Sequence, residues 1–91
     1  MEKTRGTAIF RGHVQGVGFR YATLDAARGF AVVGYVRNES DGTVEVVAEG
    51  ARDEVERFIE AVRNEMAHYV SDVKISWEPV TNEFRNFTVR S

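Results

Sequence analysis

Between Val14 and Arg20 the chain reads Val14-Gln15-Gly16-Val17-Gly18-Phe19-Arg20, a set of residue types suited to holding an anion. Gly16 and Gly18 let the backbone curl so that successive amides converge. Arg20 adds a planar fork that can take two oxygens of a phosphoryl group. The loop is not a nucleotide-hydrolase P-loop, because the Lys-Ser/Thr pair is missing, and it is not a dinucleotide fingerprint, because the third glycine is absent. Phosphatases with a cysteine nucleophile cradle phosphate in a Cys-x5-Arg loop; here the cysteine position is Val14. A loop of this kind holds a phosphoryl group but cannot attack it. Water would have to attack, and another residue would have to hold that water. Spacing alone leaves open a plainer alternative, a tight turn followed by a surface arginine.

The elements around the loop decide whether it faces a helix. Thr7 to Val14 alternates, with Ala8, Phe10, Gly12 and Val14 on one face and Ile9, Arg11 and His13 on the other, which predicts a half-buried strand. Arg20 to Arg28 reads as a helix, with Gly29 as a stop. The loop therefore enters a helix N-terminus, where unpaired N–H groups and the helix dipole favour an anion. Val32 to Arg37 predicts a second strand, Ser40-Asp41-Gly42 a hairpin turn, and Thr43 to Glu49 a third strand with Val44, Val46 and Ala48 inward. Val55, Phe58, Ile59, Val62 and Met66 mark one stripe of a helix from Ala51 to about Met66. Val73, Ile75 and Trp77 mark a fourth strand, Pro79 to Asn86 reads as a loop, and Phe87-Thr88-Val89 suits a short terminal edge strand. The order β-α-β-β-α-β, with right-handed crossovers, predicts a ferredoxin-like α/β sandwich: an antiparallel sheet with both helices on one face. That fold hosts many activities and names none.

Composition narrows the classes. The 91 residues are 43% hydrophobic and 29% charged, enough for one two-layer core, and a single domain over 1–91 is expected. Twelve Lys+Arg against fourteen Asp+Glu give a net charge of -2, which argues against bulk nucleic-acid binding. With no cysteine there is no disulfide framework and no thiolate. No apolar run approaches the ~20 residues of a membrane span, and no signal core follows Met1-Glu2-Lys3-Thr4-Arg5, so a cytoplasmic protein is expected.

Val14-Gln15-Gly16-Val17-Gly18-Phe19-Arg20 resembles the signature loop of the acylphosphatases, and Gly34-Tyr35-Val36-Arg37-Asn38 with Asp41-Gly42-Thr43-Val44 and Gly50 resembles their second signature. The two blocks stand at the family's usual separation, and the similarity covers nearly the whole chain. The resemblance implies hydrolysis of carboxyl-phosphate anhydrides to a carboxylate and inorganic phosphate, with no metal and no cofactor. It implies that Arg20 and the amides of Gln15, Gly16, Val17, Gly18, Phe19 and Arg20 hold the phosphoryl group. It also implies that Asn38, which alone would read as a turn residue opening the Asn38–Gly42 connection, positions the water. Expected partners are a small acyl phosphate and inorganic phosphate as product and competitive inhibitor; a monomer is expected, with neither nucleic acid nor membrane. Two positions depart from the family pattern: Ala31 replaces a common glycine after the first helix, so that either the helix cap has shifted or Ala31 is left-handed, and Asn64 to His68 lacks a Gly-Pro turn.

Other residues read more plainly. His13 and His68 are expected as surface histidines rather than ligands. Tyr21 and Tyr35 read as structural, a place at the substrate mouth being the alternative for Tyr21. Trp77 reads as packing, and Arg11 and Arg37 as solvated strand positions. One competing function is an RNA-binding module of the same fold, but Ile9, Arg11, His13, Glu45, Val47 and Glu49 make a poor stacking platform. Another is a domain of a larger carbamoyl-transfer protein of hydrogenase maturation; a stand-alone enzyme is the expectation here.

Overall fold

The computed structural model describes residues 2–91. In chain order the elements are β1 (Lys3–Gly12), α1 (Phe19–Ala27), β2 (Val33–Asn38), β3 (Val44–Ala51), α2 (Arg52–Glu65), β4 (Val70–Glu78) and β5 (Phe87–Arg90). The expected order holds, while several boundaries move. β1 begins at Lys3 rather than Thr7 because Lys3 to Phe10 pairs continuously with β3. It ends at Gly12 because the register with β4 slips between Arg11 and Gly12. Gly12 takes φ +124°, and a Cβ there would lie 2.3 Å from the Tyr69 carbonyl oxygen. This glycine bulge bends the chain out of the sheet and into the loop. Val14 is buried, as expected, but in the loop rather than on the strand.

The five strands lie in the order β4-β1-β3-β2-β5. β1/β3, β1/β4 and β2/β3 are antiparallel, as expected, but β5 joins β2 in parallel, so the sheet is mixed. Topology explains why. β4 and β5 occupy opposite edges, so Pro79–Asn86 must cross the sheet, roughly 19 Å at normal strand spacing. Extended, that segment reaches roughly 26 Å. It crosses the helix-free face, where Thr81 N and Oγ1 each donate to Glu49 Oε2 at 2.9 Å and Asn82 N donates to Glu49 Oε1 at 3.2 Å. Phe84 then meets Tyr35 edge-on at 5.8 Å. Glu49 and Val47, read as outward positions, are therefore buried.

On the opposite face both helices close one core. Ala8, Phe10, Val36, Val44, Val46 and Ala48 from the sheet meet Phe19 and Ala27 from α1 and Val55, Phe58, Ile59 and Val62 from α2. Burying side chains of this size contributes about 1.5–3 kcal/mol each. α2 begins at Arg52, with Asp53 and Glu54 in its first turn and Arg63 in its last, matching the helix dipole. α1 ends at Ala27, and the chain after it tightens through Gly29 N to Ala26 O and Phe30 N to Ala27 O bonds. Neither Gly29 nor Ala31 is left-handed, so Ala31 carries no such strain. Its amide instead donates to Glu54 Oε2 at 2.8 Å. Trp77 packs on the core, with Arg52 stacked over its ring at 3.9 Å. Among the described residues no helix is long and apolar enough to cross a membrane.

Candidate active site

The loop leaves β1 through the Gly12 bulge, where His13 N donates to Tyr69 O at 2.9 Å. Val14 and Phe19 anchor it from below; the Phe19 ring packs on Phe10 at 5.0 Å. Between these anchors Gly16 and Gly18 take φ +78° and +80°, with nothing within 4 Å of a Cβ. Space is open at both positions, so what they require of glycine is the left-handed backbone. Gly18 is the N-cap of α1 and gives no side-chain cap, and the first turn holds no acidic residue. Among the described residues no amide from Gln15 to Arg20 donates to a protein acceptor. The loop therefore offers unpaired N–H groups and an uncompensated helix N-terminus at one place. Arg20 joins them half-buried and without a carboxylate partner among the described residues.

Asn38 arrives from the sheet by register. Phe10 pairs with Val44, and Val44 pairs with Asn38. These three side chains share the helix-facing side, so Asn38 lies beside the ring pair that seats the start of α1. Its Oδ1 is buried and has no hydrogen-bond partner among the described residues. A buried amide oxygen left unpaired costs about 1–3 kcal/mol, so its orientation calls for a reason.

A cavity of about 160 Å³ joins the two parts, lined by Val14, Gly16, Gly18, Phe19, Arg20, Tyr21 and Asn38. The residues expected at the site thus converge, with two exceptions. Val17 packs against the core, and Gln15 does not line the cavity. The Gln15 side chain turns to the β2–β3 hairpin, where Nε2 donates to Glu39 O at 2.7 Å and to Thr43 O at 3.0 Å. That tether was not foreseen, since nothing in a glutamine before a glycine loop names acceptors in a distant hairpin turn. Tyr21, read first as structural, is instead 67% exposed and lines the cavity.

The hairpin beneath Asn38 is itself braced. Glu39 N donates to Thr43 O at 2.9 Å, and Thr43 Oγ1 and N donate to Asp41 Oδ1 at 2.7 and 3.0 Å. The bonds from Thr43 hold the Asp41 carboxyl below the usual carboxylate range. Arg37, read as a solvated position, bridges Glu39 Oε2 at 2.8 Å and Glu45 Oε1 at 3.3 Å. Tyr35 donates to Glu45 Oε1 at 2.9 Å, and burial followed by that acidic neighbour pushes its phenol up. His13 and His68 are exposed, and no group of three metal-ligating side chains occurs among the described residues.

Chemically the cavity pairs a cation and amide donors with a neutral acceptor. The donors suit the oxygens of a phosphoryl group. The acceptor can orient a water without placing negative charge beside it. Among the lining residues there is no carboxylate, imidazole, thiol or aliphatic hydroxyl.

Known proteins are similar to this chain in sequence and in fold. The acylphosphatase family model matches residues 6–89. An acylphosphatase of Pelotomaculum thermopropionicum is 40% identical over 90 residues, covering 98% of each chain. One of Salinibacter ruber is 45% identical over 87 residues, covering 94% of this chain and 92% of its own. The crystal structure of acylphosphatase from Bacillus subtilis superposes with a TM-score of 0.86 at 31% identity, covering 97% of this chain and 99% of that one.

Proposed function

Because this chain belongs to the acylphosphatase family and is a hydrolase of acyl phosphates, we propose that Arg20 and the amides from Gln15 to Arg20 hold the phosphoryl group while Asn38 positions the attacking water. One observation carries the assignment: the buried, unpartnered Oδ1 of Asn38 belongs to a residue that lines the same small cavity as Arg20. The water's oxygen attacks phosphorus from the Asn38 side. The bond between phosphorus and the carboxylate oxygen breaks, and its electron pair leaves with the carboxylate. A proton of the water passes to a phosphate oxygen or to the departing carboxylate, since the cavity lining supplies no base. A carboxylate is a good leaving group, so the protein's work is positioning and stabilising charge on the phosphoryl oxygens.

The same reading extends to partners. Inorganic phosphate, the product, competes for the loop. The chain acts as one domain over 1–91, a cytoplasmic monomer that uses no metal and binds neither nucleic acid nor membrane. The Pro79–Asn86 crossing supports the exclusion of RNA, because it covers part of the face on which bases would stack.

Hydrolysis of benzoyl phosphate in excess EDTA tests the assignment. The wild-type enzyme should turn over undiminished by the chelator. Arg20→Ala should lose activity by about 10³-fold or more. Full activity in that variant would overturn the proposed phosphoryl site.

A further inference from the structure

Tyr21 lies in the first turn of α1, 67% exposed, and lines the cavity together with Arg20 and Asn38. No hydrogen bond or ring contact engages it among the described residues. A lone exposed aromatic needs no explanation by itself. Tyr69 and Ile75 are also exposed, at 39% and 43%, but neither borders this cavity. Tyr21 is the large exposed side chain at the mouth.

The size of the cavity gives that position a consequence. Its volume of about 160 Å³ is well below the ~300–1,000 Å³ of clefts that enclose drug-sized ligands. Much of it is taken by a phosphoryl group and its attacking water. In an in-line displacement the leaving oxygen lies across phosphorus from the water. With Asn38 holding that water, the acyl group leaves on the side of phosphorus away from Asn38, and Tyr21 is the exposed side chain that lines the rest of the cavity. On the site assignment above, on which this inference rests, the acyl carbons come to lie outside the cavity and beside Tyr21.

We propose that Tyr21 is the contact for the acyl group and that its ring makes the enzyme favour planar, apolar acyl phosphates over acetyl phosphate. An aromatic or long apolar acyl group covers the ring and removes apolar surface from water on both sides. A methyl group covers little of it. The discrimination is made outside the phosphoryl site, so phosphate itself does not feel it.

The test compares kcat/KM for benzoyl phosphate and acetyl phosphate in wild type, Tyr21→Ala and Tyr21→Phe, with the inhibition constant of inorganic phosphate measured alongside. In Tyr21→Ala the benzoyl-to-acetyl ratio should fall about three- to tenfold while the phosphate constant stays within twofold. Tyr21→Phe should keep the wild-type ratio. An unchanged ratio in Tyr21→Ala, or an equal fall on both substrates, overturns the contact. Arg20→Ala separates this failure from that of the underlying assignment: an unaltered phosphate constant there would overturn the phosphoryl site itself.

Discussion

Gln15 donates its side-chain amide to the carbonyl of Glu39 at 2.7 Å and thereby ties the anion loop to the residue that follows Asn38. A second bond to Thr43 O at 3.0 Å makes the tie span both strands of the hairpin. The two halves of the site are thus held in register by a group that lines neither. Gln15→Ala should cost about 1–2 kcal/mol of stability, because two hydrogen bonds are lost while Glu39 O and Thr43 O keep their backbone donors, Gly42 N and Glu39 N. Its effect on kcat should exceed its effect on phosphate inhibition, since the cradle amides remain while Asn38 loses its fixed distance from them. Urea denaturation together with kcat and the phosphate inhibition constant checks both. Equal changes in kcat and phosphate affinity would place Gln15 in the cradle alone.

Asn38 and Arg20 should separate cleanly in kinetics. Asn38→Ala removes the water's acceptor and should lower kcat about 10²–10³-fold, with phosphate inhibition nearly unchanged. Arg20→Lys keeps charge but loses the two-pronged fork, so phosphate inhibition and kcat should both weaken. Steady-state kinetics on benzoyl phosphate with phosphate as competitor distinguishes the two patterns. If Asn38→Ala lost phosphate binding as strongly as turnover, it would be holding the phosphate rather than the water.

Acid should loosen the hairpin through Asp41. Its carboxyl is held below the ordinary value by the Thr43 bonds, so its ionised form is favoured in the folded chain. The resulting stabilisation is present above the unfolded carboxylate value, about 3.9, and is lost as pH falls through the depressed folded value. A carbon-detected NMR titration should find the Asp41 midpoint below that of a free aspartate. Thr43→Val should raise that midpoint, and an unmoved midpoint would assign the depression to something other than Thr43.

Glu49 is buried beneath the crossing, accepting from Thr81 and Asn82 with Arg5 Nε 3.7 Å away. Glu49→Ala should cost about 2–4 kcal/mol, because it leaves Thr81 N, Thr81 Oγ1 and Asn82 N without their acceptor, while Arg5 keeps Glu83 as a partner at 3.4 Å. In a domain whose total stability is of order 5–15 kcal/mol, that is a large fraction. Glu49→Gln, which keeps one acceptor oxygen, should cost less. Equilibrium unfolding in urea measures the difference, and equal costs would show that the charge matters more than the hydrogen bonds.

What could be read in the chain was local and periodic. The alternation through Ala8 and Phe10, the stripe from Val55 to Met66 and the turn at Asp41-Gly42 each report one face or one bend. Both loop glycines and Arg20 were legible for the same reason, since their chemistry is written within one short segment. What escaped depended on partners far along the chain. Glu49 looks like an outward strand residue until Thr81 and Asn82 arrive over it, and no periodicity announces that arrival. The parallel pairing of β5 follows from which edge its connection reaches, a choice made by the whole sheet. Gln15 shows both limits: its backbone was placed in the right loop, while its side chain serves the β2–β3 connection.

The order β4-β1-β3-β2-β5 also governs where the molecule can breathe. Strands with one free side open first, and amides on them exchange with solvent through small, cheap fluctuations. Here those strands are β4 and β5, and neither carries Arg20, Asn38 or the glycine loop. The loop springs from β1 and Asn38 ends β2, each flanked by neighbours on both sides. Fraying can therefore visit either margin of the sheet while the strands that carry the two halves of the site stay in place. In hydrogen exchange the β1 and β2 amides that bond to β3 should belong to the slowest-exchanging class, and turnover should persist in states that have already lost protection at the rims.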